Sequence, residues 1–227
     1  MHIRNIILSL ATFLFVSTTF AQNIDTRQLR DFENVTSYDG VSVQLVPSNK
    51  NYVKVSGDNI DEVVTQVSDK TLKIKMTFGS NFKGGDSHVI VYFAGDLKEI
   101  KATEGSSISS NEKIKNRLLT IKSIEGADVD IKVDSKDLII KIATGGKIEL
   151  EGKSENLSVN ISTGGNFDGK NLKSKYGEVK VSAGGDANVQ VEEILDATVT
   201  MGGNIFYYGE TKTVNKDISL GGNIEAR

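Results

Sequence analysis

The sequence contains no cysteine and no tryptophan, and it has only one proline and two histidines among its 227 residues. Without cysteine the chain can form no disulfide bond, thiolate zinc site, iron–sulfur cluster or cysteine nucleophile, and we expect it not to be a lipoprotein. The scarcity of proline keeps almost every backbone N–H available for a hydrogen-bonded ladder. The composition therefore favours a β-rich protein without thiol chemistry.

A strong excess of one charge is also absent, since the formal net charge is −3. Lysines alternate with acidic residues along the chain, and the sequence shows no obvious basic stripe. Because binding to nucleic acid requires clustered positive charge, we expect no nucleic-acid partner.

Glycine, by contrast, is abundant and recurs at regular intervals, at positions 105, 126, 145, 164, 184, 202 and 221. Three positions after each of these glycines stands an apolar residue: Ile108, Val129, Ile148, Phe167, Ala187, Ile205 and Ile224. The residues three and five positions before each glycine are mostly apolar as well. In the last repeat, however, Lys216 stands at the position five before the glycine. A small residue follows each glycine directly, so two short strands can meet at a tight corner.

A unit of about 19 residues cannot bury its apolar face alone, whereas stacked copies form a continuous core. We therefore predict an all-β fold, a right-handed parallel β-helix or solenoid with repeats of about 19 residues. A sandwich or a meander of antiparallel hairpins is the alternative that the same alternation allows.

The first 21 residues have the pattern of a secretory signal peptide. His2 and Arg4 precede an apolar core over 6–15, and Thr19-Phe20-Ala21 supplies small residues at the cleavage site. The apolar core is shorter than the ~20 residues of a spanning helix. We expect an exported protein of the periplasm or the cell surface, with no membrane span after processing.

Residues 22–100 differ from the repeats and are predicted to form a β-rich N-terminal cap, continuous with a solenoid over 101–227. Alternation predicts strands over 35–46, 52–56, 72–78 and 89–93, and Gly40 has the flanks of one early repeat. One short helix is predicted over 58–67, with Asp58 or Asn59 as N-cap and apolar Ile60, Val63, Val64 and Val67 at helical spacing. The glycine-containing segment 78–87 is predicted to be a mobile loop.

Paired carboxylates are the strongest candidates for chemistry. Asp128 and Asp130 should point outward because Val129 and Ile131 face the core, and Glu149 and Glu151 should lie one repeat further along the stack. A polysaccharide hydrolase uses such pairs. However, Lys132, Lys147 and Lys153 interleave with them, which is typical of a solvated, charge-paired surface. We predict no catalytic, cofactor-binding or metal-binding residues.

Two further features concern surfaces. The run Phe206-Tyr207-Tyr208 predicts either an exposed aromatic interface or packing at the end of the stack. The last strand, over 223–227, is an open ladder edge, which makes a homo-oligomer possible.

One position of the repeat holds polar side chains in four turns: Asn166, Asp186, Asn204 and Asn223. We interpret them as a structural ladder of side chains rather than a calcium site.

A family resemblance is visible in three short segments. They are Ser-Thr-Gly-Gly-Asn-Phe at 162–167 and Gly-Gly-Asn-Ile at 202–205 and 221–224. Phe-Glu-Asn-Val at 32–35, Gly-Val-Ser-Val at 40–43 and Val-Lys-Val-Ser-Gly-Asp at 53–58 add to it. Over residues 30–226 the sequence resembles the head GIN domain family, which is named for the heads of auto-transporter adhesins. The resemblance implies an exported β-helical domain and supplies no established catalytic residues.

The sequence thus predicts a non-enzymatic, exported β-solenoid that acts as an adhesin-like surface or periplasmic binding domain. The expected partner is a protein or glycan of the cell envelope, and the expected contact residues are Phe206, Tyr208, Asp128, Asp130 and Glu149. Two alternatives remain: an envelope polysaccharide enzyme that uses the outward carboxylates, and a structural or envelope-stress spacer.

Overall fold

The computed structural model describes residues 24–57, 59–77, 79 and 87–227. The predicted signal peptide and most of the predicted loop over 78–87 lie outside the described residues. The N-terminal strands are β1 (Ile24–Gln28), β2 (Asn34–Ser37), β3 (Ser42–Pro47), β4 (Tyr52–Gly57), β5 (Val63–Ser68), β6 (Thr71–Met76), β7 (Ser87–Phe93) and β8 (Glu99–Ala102). They are followed by β9 (Ser107–Ile124), β10 (Asp128–Ala143), β11 (Lys147–Ser162), β12 (Asn166–Ala183), β13 (Asp186–Met201), β14 (Asn204–Tyr208), β15 (Thr213–Ile218) and β16 (Asn223–Ala226).

The chain forms a parallel β-solenoid with two faces. Each long strand from β9 to β13 bends near its middle, so that its first half belongs to one face and its second half to the other. Face A has the strand order β1-β4-β7-β3, then the first halves of β9 to β13, then β14-β16. Face B has the order β5-β6-β2-β8, then the second halves of β9 to β13, then β15. All pairs from β9 onward are parallel, which excludes the meander.

The glycine column forms the corner between consecutive turns of the solenoid. Each of these glycines has a positive φ, and a backbone hydrogen bond joins successive corners, as from Gly126 N–H to the Thr144 carbonyl oxygen at 3.0 Å. Gly40 donates in the same way to the Glu104 carbonyl, which confirms it as an early turn of the stack. The earlier corners place a non-glycine residue, such as Thr163, in the left-handed region before the glycine, whereas at the last three corners both residues of a Gly-Gly pair have positive φ.

The predicted apolar columns are buried. The seven residues at three positions after the corner glycines are at most 5% exposed, and together with the N-terminal strands they form one core. The pattern fails only in the last turn, where Ile218 is 44% exposed because no further turn covers it. Among the described residues no helix is long and apolar enough to cross a membrane.

The predicted helix over 58–67 is present only as the single 3-10 turn Ile60–Glu62. From Val63 the chain is strand β5, which pairs antiparallel with β6. The run Val63-Val64-Thr65 consists of β-branched side chains, which lose rotamer freedom in a helix and pack well on a sheet. A two-residue turn at Asp69 and Lys70, both with positive φ, closes the hairpin in the geometry that matches strand twist.

Charged residues stand at core positions on both terminal strands of the stack. At the N-terminal end, Arg27 of β1 pairs with Asp25 at 2.7 Å and donates hydrogen bonds to the Val63 and Ile60 carbonyls, which ties face A to face B. At the C-terminal end, Lys216 of β15 occupies the column in which Ala197 is buried, and its ammonium group donates to the Ile224 carbonyl. Inward-pointing charges on edge strands oppose pairing with another chain.

We therefore predict that Lys216→Ile promotes self-association. The substitution completes an apolar column at an end that already exposes Ile218 and Leu220. Light scattering coupled to size-exclusion chromatography should show a mass that rises with concentration, in contrast to the native protein. Asn215→Ile, on the outward side of the same strand, controls for added apolar surface, and equal behaviour of the two variants would contradict the prediction.

Candidate functional site

The outward surface of face A carries a column of carboxylates that continues into an aromatic ring. The residues four positions after the corner glycines point outward in register: Ser109, Asp130, Glu149, Asp168, Asn188, Phe206 and Glu225. Neighbouring strands lie ~4.8 Å apart, so Asp130, Glu149 and Asp168 form three consecutive acidic steps. We call this set the acidic column.

The structure brings all five predicted contact residues onto face A. Asp130, Glu149 and Phe206 belong to the acidic column, while Asp128 and Tyr208 lie two positions to either side of it. Asp128 and Asp130 are exposed while Val129 and Ile131 are buried, as the alternation predicts. The five residues therefore belong to one surface, although they come from three different strands.

The carboxylates of this face differ in their pairing. Glu151 lies beside Lys132 in the register and forms an ion pair with it at 3.3 Å. Asp128 has Lys147 as its register neighbour. No ion pair within 4.0 Å engages Asp130 or Glu149 among the residues that the structure describes. The acidic column therefore presents two acceptors at its centre, with paired charges beside them.

Asp168 is a member of the column that the sequence analysis missed. Its carboxylate accepts a hydrogen bond from the Lys170 ammonium group at 2.7 Å and another from the Lys170 backbone N–H at 3.2 Å. The hydrogen bond to Asp168 raises the pKa of Lys170. The signal was available in the spacing, because Asp168 and Asn188 stand at the same offset from their glycines as Glu149.

The aromatic run divides between surface and core. Phe206 and Tyr208 are half-buried on the outward side, whereas Tyr207 packs against the end of the core. The Tyr207 ring centroid lies 5.0 Å from the Lys216 ammonium nitrogen. The Arg227 guanidinium lies 4.5 Å from the Phe206 ring centroid, and the Tyr208 hydroxyl donates to Asn188 Oδ1 at 3.2 Å. Tyr207 therefore packs at the end of the stack, whereas Phe206 and Tyr208 lie on the outward surface, and an interface there stays a prediction.

A column of polar side chains lies beside the acidic column. Asn166, Asp186, Asn204 and Asn223 follow one another in register, and Asn204 Nδ2 donates to Asp186 Oδ1 at 2.7 Å. Among these four described residues it is the one side-chain hydrogen bond, and it links two consecutive turns. Within the described part of the chain, no cluster of three or more acidic or histidine side chains could hold a metal ion.

Face B carries a basic stripe, so the sequence-based premise that the chain lacks one is wrong. Residues four positions before the corner glycines point outward in register: Lys101, Lys122, Lys141, Asn160, Lys180, Thr198 and Asp217. These lysines lie about 20 residues apart in the sequence, and only the stacking of repeats makes them neighbours. The expectation that nucleic acid is not a partner stays a prediction.

An open groove of about 400 Å³ runs beside this stripe on face B. It combines polar and apolar side chains, and its lining includes Asp137, Ile139, Asn156, Ser158, Tyr176 and Ile194. Tyr176 and Ile194 are 44% and 41% exposed. The groove thus offers an aromatic ring edged by hydroxyl, amide and carboxylate groups.

The sequence that forms this solenoid matches a known protein family. The family model described as "Putative auto-transporter adhesin, head GIN domain" matches residues 31–226. The chain belongs to this family. The resemblance seen in the Gly-Gly-Asn segments is thereby confirmed over almost the whole chain. No match to a curated protein was found.

Solved structures resemble this head GIN domain closely in fold. A putative adhesin from Bacteroides fragilis shares 20% sequence identity, with 92% of this chain and 98% of that chain covered at a TM-score of 0.82. A putative adhesin from Parabacteroides merdae shares 18%, with 90% and 95% covered at 0.73. A putative lipid binding protein from Parabacteroides distasonis shares 20%, with 89% and 97% covered at 0.61. At these identities the comparison establishes the fold alone.

Proposed function

We propose that this head GIN domain is a non-enzymatic, exported binding protein of the adhesin type, and that face A binds a protein or a glycan of the cell envelope. The observation that carries the proposal is the acidic column, in which Asp130 and Glu149 lead in register to Phe206. The family name and the predicted signal peptide over 1–21 support export.

The chemistry of face A suits binding. Carboxylates accept hydrogen bonds from sugar hydroxyls and pair with cationic side chains, and charge-assisted bonds of this kind are stronger than neutral ones. An aromatic ring adds apolar area at a small cost in conformational entropy. These groups stand on a hydrogen-bonded sheet, so little ordering is needed when a partner binds.

The neighbouring charges favour binding over hydrolysis. A glycosidase needs one carboxyl group with a raised pKa to act as acid and a second to act as base or nucleophile. On face A, Lys132 pairs with Glu151, and Lys170 holds Asp168. Ion pairs of this kind give face A a surface of charged hydrogen-bonding groups, which suits recognition of a polar or cationic partner.

The test is a glycan array and a binding titration of every hit, with the native protein and the double variant Asp130→Asn/Glu149→Gln. We expect the double variant to weaken binding by about tenfold or more, because it removes two charge-assisted contacts. The matched control is Glu178→Gln/Asp196→Asn, which removes the same charge from face B and should change affinity by less than about twofold.

Other outcomes would decide against the proposal. Cleavage of a polysaccharide that is lost in Asp130→Asn would establish the enzyme alternative. A blank array, together with no binding to purified envelope proteins at high concentration, would favour the spacer alternative.

A further inference from the structure

We infer that face B holds a second binding site, in which the stacked lysines bind an acidic polysaccharide. The site comprises Lys101, Lys122 and Lys141 on three consecutive strands, and Lys180 extends it two strands further; we call it the lysine column. It lies on the opposite side of the solenoid from the acidic column and does not depend on a partner for face A.

The register makes these lysines direct neighbours. Lys122 stands beside Lys101 on one side and beside Lys141 on the other. Neighbouring strands are ~4.8 Å apart, so the three ammonium-bearing side chains repeat at each step of the stack. Like charges directly opposite one another on a sheet destabilise it. The arrangement therefore costs the fold stability, and an anionic ligand would offset that cost.

Folding does not require lysine at these positions. The same column holds Thr36, Asn160 and Thr198 in other strands, and each of these neutral side chains is accommodated in an unbroken ladder. Lys122 forms an ion pair with Glu99 at 2.7 Å, and Lys180 forms one with Glu178 at 2.5 Å. Within the described part of the chain, Lys101 and Lys141 have no ion pair within 4.0 Å. The lysines of the column therefore give the surface positive charge and are not needed for packing.

The charge is concentrated in the N-terminal half of face B. On β6, β2, β8 and the second halves of β9 and β10, the outward positions include Lys73, Lys75, Lys101, Lys122 and Lys141. The carboxylates among these outward positions are Glu99 and Asp137. A local positive field of this kind attracts anions even though the whole chain is slightly acidic.

The surroundings of the column favour a polysaccharide over a nucleic acid. Proteins that bind single strands place aromatic side chains along the basic track so that bases can stack on them. None of the outward positions two residues before the lysines is aromatic, since they hold Glu99, Thr120, Ile139 and Glu178. Hydroxyl and carboxylate groups of this kind form hydrogen bonds with sugar hydroxyls. Further along the face, the exposed Tyr176 ring in the adjoining groove offers a platform for a sugar ring.

A regular polyanion fits the regular spacing. Three consecutive turns present one ammonium group each, from Lys101, Lys122 and Lys141, and an acidic polysaccharide such as a polyuronate presents one carboxylate per sugar. A chain laid along the solenoid axis can therefore form several charge-assisted contacts with a flat, rigid surface. Because these contacts are exposed, binding should weaken steeply with salt.

The experiment titrates the purified protein with polygalacturonate, with the same polymer after full methyl esterification, and with a single-stranded DNA oligonucleotide. Each titration is carried out at low and at high sodium chloride. The test variant is Lys101→Gln/Lys122→Gln/Lys141→Gln. The matched control, Lys132→Gln/Lys147→Gln/Lys153→Gln, removes the same charge elsewhere. Circular dichroism checks that both fold, and the single variant Lys141→Gln, at an exposed position, replaces the triple variant if needed.

We expect the charged polymer to bind, the esterified polymer not to bind, and added salt to weaken the complex. The test variant should lose about tenfold or more in affinity, and the control variant less than about twofold. Equal losses in both variants, equal binding of the esterified polymer, or no binding of the charged polymer would overturn the inference. DNA that binds more tightly and depends on the same lysines would assign the column to nucleic acid instead.

Discussion

Gly152→Ala is expected to destabilise the protein by about 3–5 kcal/mol, a large part of the stability of an ordinary domain. Gly152 has φ of +123° and stands in a core column beside Val133 and Leu172. A β-carbon at this position would lie 2.0 Å from the Val133 carbonyl oxygen. That atom belongs to the backbone of the neighbouring strand, so the ladder itself would have to move.

The matched control is Gly145→Ala, in the corner column of the same turn. Gly145 also has a positive φ, +76°, but a β-carbon there would meet nothing within 4 Å. Its expected cost is the left-handed conformation alone, about 1–2 kcal/mol. Guanidinium unfolding followed by circular dichroism measures both, since the chain has no tryptophan to report by fluorescence. Equal midpoints for the two variants would contradict the prediction.

The contrast between these two glycines shows how far the sequence predicts the fold. Gly145 belongs to a column that recurs in every repeat, so its spacing alone predicts a corner. Gly152 recurs nowhere, and its role depends on the close approach of the Val133 carbonyl, which is a contact between strands. A structural requirement that recurs in every repeat can be recognised from a single sequence, whereas a contact that occurs only once cannot.

Outward columns of the solenoid are harder to recognise in the sequence than core columns. The positions that hold apolar or small residues in every repeat are recognisable from the sequence, and those positions form the core. Outward positions vary from turn to turn, as from Lys141 to Asn160 to Lys180, because no packing constrains them. The acidic column was therefore seen only in part, and the lysine column was missed, although both keep a constant offset from the corner glycines over most of the stack.

Irregular steps limit prediction in a different way. The register shifts between Ile131 and Lys132, where β9 carries extra residues against β10, and again along β12. A bulge adds residues to one strand and re-aims the side chains beyond it. The number of residues from a corner glycine therefore predicts which face a side chain points to near that corner, but not near the opposite corner. The prediction of a helix over 58–67 was wrong for a local reason, because the β-branched residues of this segment favour a β-hairpin.

The second large effect is expected at Phe167, the largest fully buried side chain of the core. Its column holds Ile148 and Ala187 in the adjacent turns, so the ring exceeds the volume that a repeat usually places there. The space comes from Gly169, where a β-carbon would lie 2.6 Å from the Phe167 ring. Phe167→Ala should therefore leave a cavity over Gly169 and cost about 3–5 kcal/mol.

The compensation between Phe167 and Gly169 predicts a coupling that a double-mutant cycle can measure. Gly169→Ala alone should cost about 1–3 kcal/mol, because the added methyl group overpacks the ring. In the Phe167→Leu background the shorter side chain leaves room for that methyl group, so the same substitution should cost less by about 1 kcal/mol or more. Gly95→Ala, at a loop position with nothing within 4 Å of a β-carbon, should cost the same in both backgrounds. A Gly169→Ala effect that is also independent of residue 167 would mean that the ring does not occupy the space that the glycine leaves.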